Sequence, residues 1–126
     1  MEKMKKRILL VEDYEPTVIM TSFFLEDSGY ECDVAGTGKI ALQKSAENAY
    51  ALIIMDVQLP DMDGMEIARQ IRSREKEKNL SPVPIIASTG RATEDDKMLC
   101  LRAGMNDCLI KPFHLEELTA KLEQWT

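Results

Sequence analysis

Residues 51–64 read Ala51-Leu-Ile-Ile-Met-Asp56-Val-Gln-Leu-Pro60-Asp-Met-Asp-Gly64. An apolar run of strand length ends in a lone acid, and a proline, two more acids and a glycine follow. Burying a carboxylate is costly unless it is paired or coordinates a cation, and the ends of strands in open parallel sheets are where ligands sit. Asp56 is therefore the first candidate for a residue that does chemistry.

Working outward, Arg7–Val11 is a second continuous apolar run, and it too ends in acid, at Glu12 and Asp13. Continuous rather than alternating runs are the mark of strands buried on both faces of a parallel sheet. Pro16 suits the first turn of a helix that runs to about Ser28, with Ile19 and Phe23 on one face and Gly29 as the stop. Tyr30–Ala35 is a more polar edge strand, and Gly36-Thr-Gly38 leads into a helix over 39–47. Gly64 starts a third helix with Ile67 and Ile71 one turn apart; its charged tail, Arg72–Lys78, is expected to be a fraying, solvated end. Pro82-Val-Pro84 precedes a fourth strand, Ile85–Thr89, ending in the hydroxyls of Ser88 and Thr89. Thr93 is an N-cap for a helix ending at Gly104. Asp107–Ile110 is a short fifth strand closed by Lys111-Pro112. A last helix over 115–124 carries Leu115, Leu118, Leu122 and Trp125 near one stripe. Five strands alternating with five helices predict a three-layer α/β domain around a parallel sheet, with right-handed crossovers.

Composition narrows the function. A chain of 126 residues with 44% hydrophobic and 30% charged residues suits one globular domain. The net charge of −6 argues against nonspecific attraction to nucleic acid. The apolar segment after the basic N-terminus is too short for a signal peptide and no run approaches a membrane span, so a cytoplasmic location is expected. Cys32, Cys100 and Cys108 are odd in number and lack CxxC spacing, which reads as small core residues in a reducing compartment. Gly36-Thr-Gly-Lys39 fails as a phosphate loop, because Asp33 stands where a glycine is needed and Ile40 where a Ser or Thr is. His114 reads as a solvated residue near a helix start, Asp61 and Asp63 as turn residues, and the eight methionines as scattered core filler.

In a parallel sheet the carboxyl ends of all strands share one edge. Glu12, Asp13, Asp56, Ser88, Thr89 and Lys111 therefore converge. Three clustered carboxylates call for a hard divalent cation, and Mg²⁺ takes carboxylates while retaining waters. That cation and the Lys111 ammonium would stabilise charge on a phosphoryl group attacked by Asp56.

Val11-Glu12-Asp13, Met55-Asp56-Val57-Gln58-Leu59-Pro60-Asp61-Met62-Asp63-Gly64, Ser88-Thr89 and Lys111-Pro112-Phe113 resemble the receiver domain of two-component response regulators, in order and spacing over nearly the whole chain. The resemblance implies a flavodoxin-like (βα)5 fold with sheet order 2-1-3-4-5. It implies that Asp56 is the phosphoacceptor for a histidine-bound phosphoryl group. Mg²⁺ would be held by Asp13, Asp56 and the backbone carbonyl of Gln58, with Glu12 acting through water. Thr89 would bond the phosphoryl oxygen, Lys111 would pair with the phosphate, and Pro112 would follow a cis bond. Gln58 and Arg91 flank the site and are expected to tune acyl-phosphate lifetime.

One departure is Cys108, three before the lysine, where receivers often carry an aromatic or His; a ring swing coupled to Thr89 movement is excluded there. The implied partners are a histidine kinase or a histidine phosphotransfer protein, and a downstream protein reached through the fourth helix, fifth strand and fifth helix. Direct nucleic-acid or membrane binding is not implied, and a phosphorylation-dependent dimer is compatible. Residues 1–126 are expected to be a single receiver domain without an output domain, acting alone or as a piece of a hybrid kinase; the Gly104–Cys108 pattern is similar to receivers of such kinases. No enzyme activity is expected beyond its own phosphorylation and dephosphorylation. The rival is a phosphohydrolase of haloacid-dehalogenase type, but Gln58 stands where that class places its second Asp.

Overall fold

The computed structural model describes residues 5–90 and 93–126. Its elements are β1 (Arg7–Val11), α1 (Glu15–Asp27), β2 (Glu31–Ala35), α2 (Gly38–Glu47), β3 (Leu52–Asp56), α3 (Gly64–Glu77), β4 (Ile85–Thr89), α4 (Glu94–Arg102), β5 (Asp107–Ile110) and α5 (Leu115–Trp125). The five strands form one parallel sheet in the order β2-β1-β3-β4-β5. This is the expected flavodoxin-like (βα)5 architecture.

The continuous apolar runs are explained by the two layers that cover the sheet. Leu9, Val11, Ile53, Met55, Ile85 and Ala87 pack with Ala41 of α2, Ile67, Ala68 and Ile71 of α3, and Cys100 of α4. Their neighbours Ile8, Leu10, Leu52, Ile54, Ile86 and Leu109 pack on the other face with Leu25 of α1 and Leu118 and Leu122 of α5. Each buried Ile or Leu contributes about 1.5–3 kcal/mol, so β3, buried at all five positions, anchors both cores.

The helices begin where short polar side chains can cap them. Thr37 accepts from the Ile40 N–H, Asp63 from the Met65 N–H and Thr93 from the Asp96 N–H. Past the end of α4, Gly104 adopts φ +100°, and a side chain there would meet Cγ of Arg72 at 2.7 Å.

One expectation is sharpened and another corrected. Ile19 and Phe23 lie on one face of α1, but that face is solvent-exposed, at 61% and 72%. The face against the sheet carries Thr21 and Leu25, both fully buried. The charged tail of α3 is not frayed. Arg72 donates to the Gly104 carbonyl (2.9 Å), to Asn106 Oδ1 (2.9 Å) and to Glu75 Oε1 (2.8 Å). Glu75, only 7% exposed, also accepts from the Val83 N–H at 2.8 Å. Arg74 donates to the Ser45 and Ala46 carbonyls near the end of α2. The charges pair across the fold, which holds the helix to Glu77. Of the three cysteines, Cys100 is buried and Cys32 and Cys108 are half-buried; all are free thiols.

The first described residues meet the last. Lys6 Nζ donates to the Thr126 carbonyl at 2.6 Å, and the Tyr30 and Thr126 hydroxyls lie 3.3 Å apart.

Candidate functional site

Parallel strands of matched register bring their carboxyl ends to one edge, and β1 and β3 are neighbours there because the strand order reverses at β1. The edge opens into a cleft of about 590 Å³ lined by Glu12, Asp13, Asp56, Gln58, Thr89 and Lys111, with Tyr14, Met20 and Phe113 as its apolar walls. Glu12, Asp13, Asp56, Gln58, Thr89 and Lys111 therefore face one cavity, while Ser88, expected at the same edge, is buried in β4 and does not line it. Arg91, expected to flank it, lies outside the described residues.

Glu12 and Asp56 are buried, at 3% and 6% exposure, while Asp13 is exposed. Carboxylate oxygens of the three acids lie within 4.8 Å of one another. Such a grouping is repulsive on its own, and the chain offsets it with specific donors. Glu12 Oε2 accepts from the backbone N–H of Asp13 (3.1 Å) and of Tyr14 (3.2 Å). Lys111 Nζ donates to Glu12 Oε1 at 2.6 Å and lies 3.3 Å from Asp56 Oδ2. Asp56 Oδ1 accepts from the Gln58 N–H at 3.0 Å.

The acidities divide accordingly. Burial pushes the Asp56 carboxyl up to about 6, and the hydrogen bond and charge of Glu12 push the same way, against the Gln58 N–H and Lys111. Burial would raise Glu12 too, but its hydrogen bonds to Asp56, Lys111 and the Tyr14 N–H hold it below the ordinary carboxyl value. The Lys111 ammonium is disfavoured by burial, yet Glu12 and Asp56 together raise its pKa. In the resting protein Asp56 is the more readily protonated of the two acids, and Lys111 bridges them.

The donor set suits a hard cation. All three side chains offer oxygen, and no Cys or His joins the cluster among the described residues. Glu12, Asp13 and Asp56 are thus the residues able to hold a divalent metal.

Ser88 is buried and pairs with Asp56 in the β3–β4 register, while Thr89 ends β4 half-buried at the cleft. The Thr89 carbonyl accepts from the Lys111 N–H at 2.7 Å, and Thr89 also lines a smaller cavity of about 170 Å³ between α3 and α4. Lys111 precedes a cis peptide bond to Pro112, as the resemblance implied. Cys108, opposite Ala87 in the β4–β5 register, packs against the core near Cys100.

Asp63 caps α3 as a turn residue would. Asp61 does more. Its carboxylate accepts from the N–H groups of Gly38 (2.7 Å) and Lys39 (3.1 Å) at the start of α2. Nothing in the local sequence signals this link, because its partners lie 23 and 22 residues away.

A doubly wound α/β domain thus carries an acid cluster, a hydroxyl and a lysine at one sheet edge. The chain belongs to the response regulator receiver domain family, whose model matches residues 8–123. It is 41% identical over 118 residues to the aerobic respiration control sensor protein ArcB of Escherichia coli (strain K12), covering 94% of this chain and 15% of ArcB. The chain therefore spans only a small part of that relative. Among solved structures, it resembles the receiver domain of the sensor histidine kinase PA1611 from Pseudomonas aeruginosa PAO1, which has a magnesium ion coordinated in its active-site cleft. That match has TM-score 0.85, 38% identity and coverage of 97% of this chain and 98% of the other. It also matches a chain in the co-crystal structure of the Saccharomyces cerevisiae histidine phosphotransfer signaling protein Ypd1 with the receiver domain of its downstream response regulator Ssk1. There the TM-score is 0.92 at 34% identity, covering 96% of this chain and 88% of that one.

Proposed function

We propose that this receiver domain takes a phosphoryl group from a phosphohistidine onto Asp56, with Mg²⁺ bound by Asp13, Asp56 and the Gln58 backbone carbonyl and with Glu12 acting through water. The observation that carries the reading is the packing of three carboxylates within 4.8 Å beside the Lys111 ammonium, in a cleft open to solvent. The cation supplies charge neutralisation for the transferring group. Lys111, already 3.3 Å from Asp56 Oδ2, turns from Glu12 and Asp56 to the new phosphoryl oxygens. Thr89 bonds a phosphoryl oxygen from the end of β4. Gln58 and Arg91 set the lifetime of the acyl phosphate, and substituting either changes dephosphorylation more than stability.

The donor is a histidine kinase or a histidine phosphotransfer protein. Tyr14 and Met20, exposed beside the cleft, offer it an apolar rim. The signal leaves through α4, β5 and α5 to a protein partner. Gln58 in place of a second acid supports a switch over a phosphohydrolase, and the domain catalyses only its own phosphorylation and dephosphorylation.

Incubation with Mg²⁺ and acetyl phosphate, or with a phosphorylated kinase, should give a hydroxylamine-labile phosphate that is lost in Asp56→Asn. A label that persists in Asp56→Asn removes Asp56 from the acceptor role, and steady turnover of small phosphate esters would favour the phosphohydrolase.

A further inference from the structure

Six residues separate Asp56 from Asp63, and Gln58 lies among them. The base of this segment is closed by short contacts. Gln58 forms an antiparallel bridge with Asp63, the Gly64 N–H donates to the Val57 carbonyl at 2.9 Å, and a side chain on Gly64 would meet the Asp56 carbonyl oxygen at 2.5 Å. Those contacts hold the two ends of the segment; its outer arc, Leu59–Met62, is held by Leu59 and Met62 against the core and by Asp61 and Met62 against α2. Asp61 accepts from both leading N–H groups of α2, and Met62 seats on Gly38, where an added Cβ would lie 2.7 Å from its Sδ and 2.9 Å from its own Cβ.

A helix start needs a cap, but α2 already has one from its own sequence, since Thr37 Oγ1 accepts from the Ile40 N–H at 3.2 Å. The long-range pair satisfies two further orphan donors of that end, the Gly38 and Lys39 N–H groups, and in doing so ties the segment that supplies it to α2. We infer that Asp61 is a positioning residue for the cation site: by pinning the 57–63 segment to α2 it fixes where the Gln58 backbone carbonyl stands. This rests on the reading in which that carbonyl is a cation ligand. Outer partners that orient metal ligands typically change affinity about 10–100-fold when removed.

The test is calorimetric titration of the unphosphorylated chain with MgCl₂, alongside thermal unfolding in EDTA. Asp61→Ala should weaken Mg²⁺ binding by about tenfold. Gly38→Ala, which displaces Met62 from the α2 side, should weaken it in the same direction. Thr37→Ala removes a cap from the same helix end without touching the segment; it should lower the melting temperature comparably yet leave Mg²⁺ affinity within about twofold. Asp61→Asn keeps an acceptor for the shorter bond, from the Gly38 N–H, and loses the charge and the bond from the Lys39 N–H, so its affinity should fall between wild type and alanine. Wild-type affinity in Asp61→Ala, an equal loss in Thr37→Ala, or an Asn variant as weak as alanine would each overturn the inference while leaving the phosphoacceptor reading standing. A wild-type chain that binds no Mg²⁺ would instead remove the cation reading, and the role of Asp61 with it.

Discussion

Replacing Asp56 by Asn should make the metal-free protein more stable. The Asp56 carboxyl is pushed from 3.8 to about 6 by burial and by Glu12. At neutral pH that difference corresponds to about 3 kcal/mol acting against the ionised side chain. Asparagine keeps the shape, can accept from the Gln58 N–H and can donate to Glu12, but forfeits the attraction of Lys111 at 3.3 Å. That attraction already opposes the upward shift, so its loss is contained in the figure above. Setting about 1–2 kcal/mol against the gain for the second amide N–H, which meets Lys111 rather than an acceptor, leaves roughly 1–2 kcal/mol of net stabilisation. For a domain of this size the melting temperature rises by roughly 4–8 °C.

The pH dependence has a definite sign. An acid whose folded-state pKa lies above its unfolded value binds a proton on folding between the two, so stability falls as pH rises through that window. The wild type should therefore gain stability as pH falls from 7 towards 5, and Asp56→Asn should lack that component. Charged groups that do not touch residue 56 are common to both proteins and cancel in the difference. Glu12, held low, adds stability that disappears only as pH falls below the ordinary carboxyl range. Thermal unfolding of both proteins in EDTA at pH 7.5 and 5.0 measures this directly. An Asp56→Asn protein that is no more stable than wild type at pH 7.5, or a gap that does not narrow at pH 5.0, refutes the electrostatic account of the site.

Two further outcomes follow from other parts of the fold. Glu75→Ala leaves the Val83 N–H unpaired and Arg72 short of one partner, and should destabilise by about 2 kcal/mol in urea unfolding; a loss below about 0.5 kcal/mol would show that this network is ornamental. On phosphorylation Thr89 should shift with no aromatic rotamer change in β5, because Cys108 supplies no ring; structures with and without a phosphate mimic that show Thr89 fixed would count against it.

The strands were legible because a sheet covered on both faces demands apolar residues at consecutive positions. The site was legible because parallel strands carry their terminal residues to one edge, so Glu12, Asp13, Asp56, Thr89 and Lys111 had one place to meet. What escaped was everything decided by a partner far along the chain. Ile19 and Phe23, one turn apart, mark an apolar face of α1, yet Thr21 and Leu25 are the residues buried against the sheet; hydrophobicity names a face without saying which neighbour covers it. Arg72 and Glu75 read as solvated charges until Gly104, Asn106 and Val83 are placed beside them. Asp61 read as turn chemistry for the same reason. The cap residue Thr93 lay at the other extreme, since it acts on backbone three residues from itself.

The meeting of Lys6 with Thr126 has a consequence for how this domain can be wired. Strand β1 starts near that contact and finishes at the cleft, so at about 3.3 Å per residue roughly 13 Å of strand separates the two poles. Any neighbouring segment joined before Lys5 or after Thr126 is tethered at the pole facing away from Asp56. Leverage from such a tether falls on the β1–α5 end, and the mouth of the cleft keeps its angular freedom to meet a donor. A module fastened at its back can be carried by many different hosts without redesign of its front.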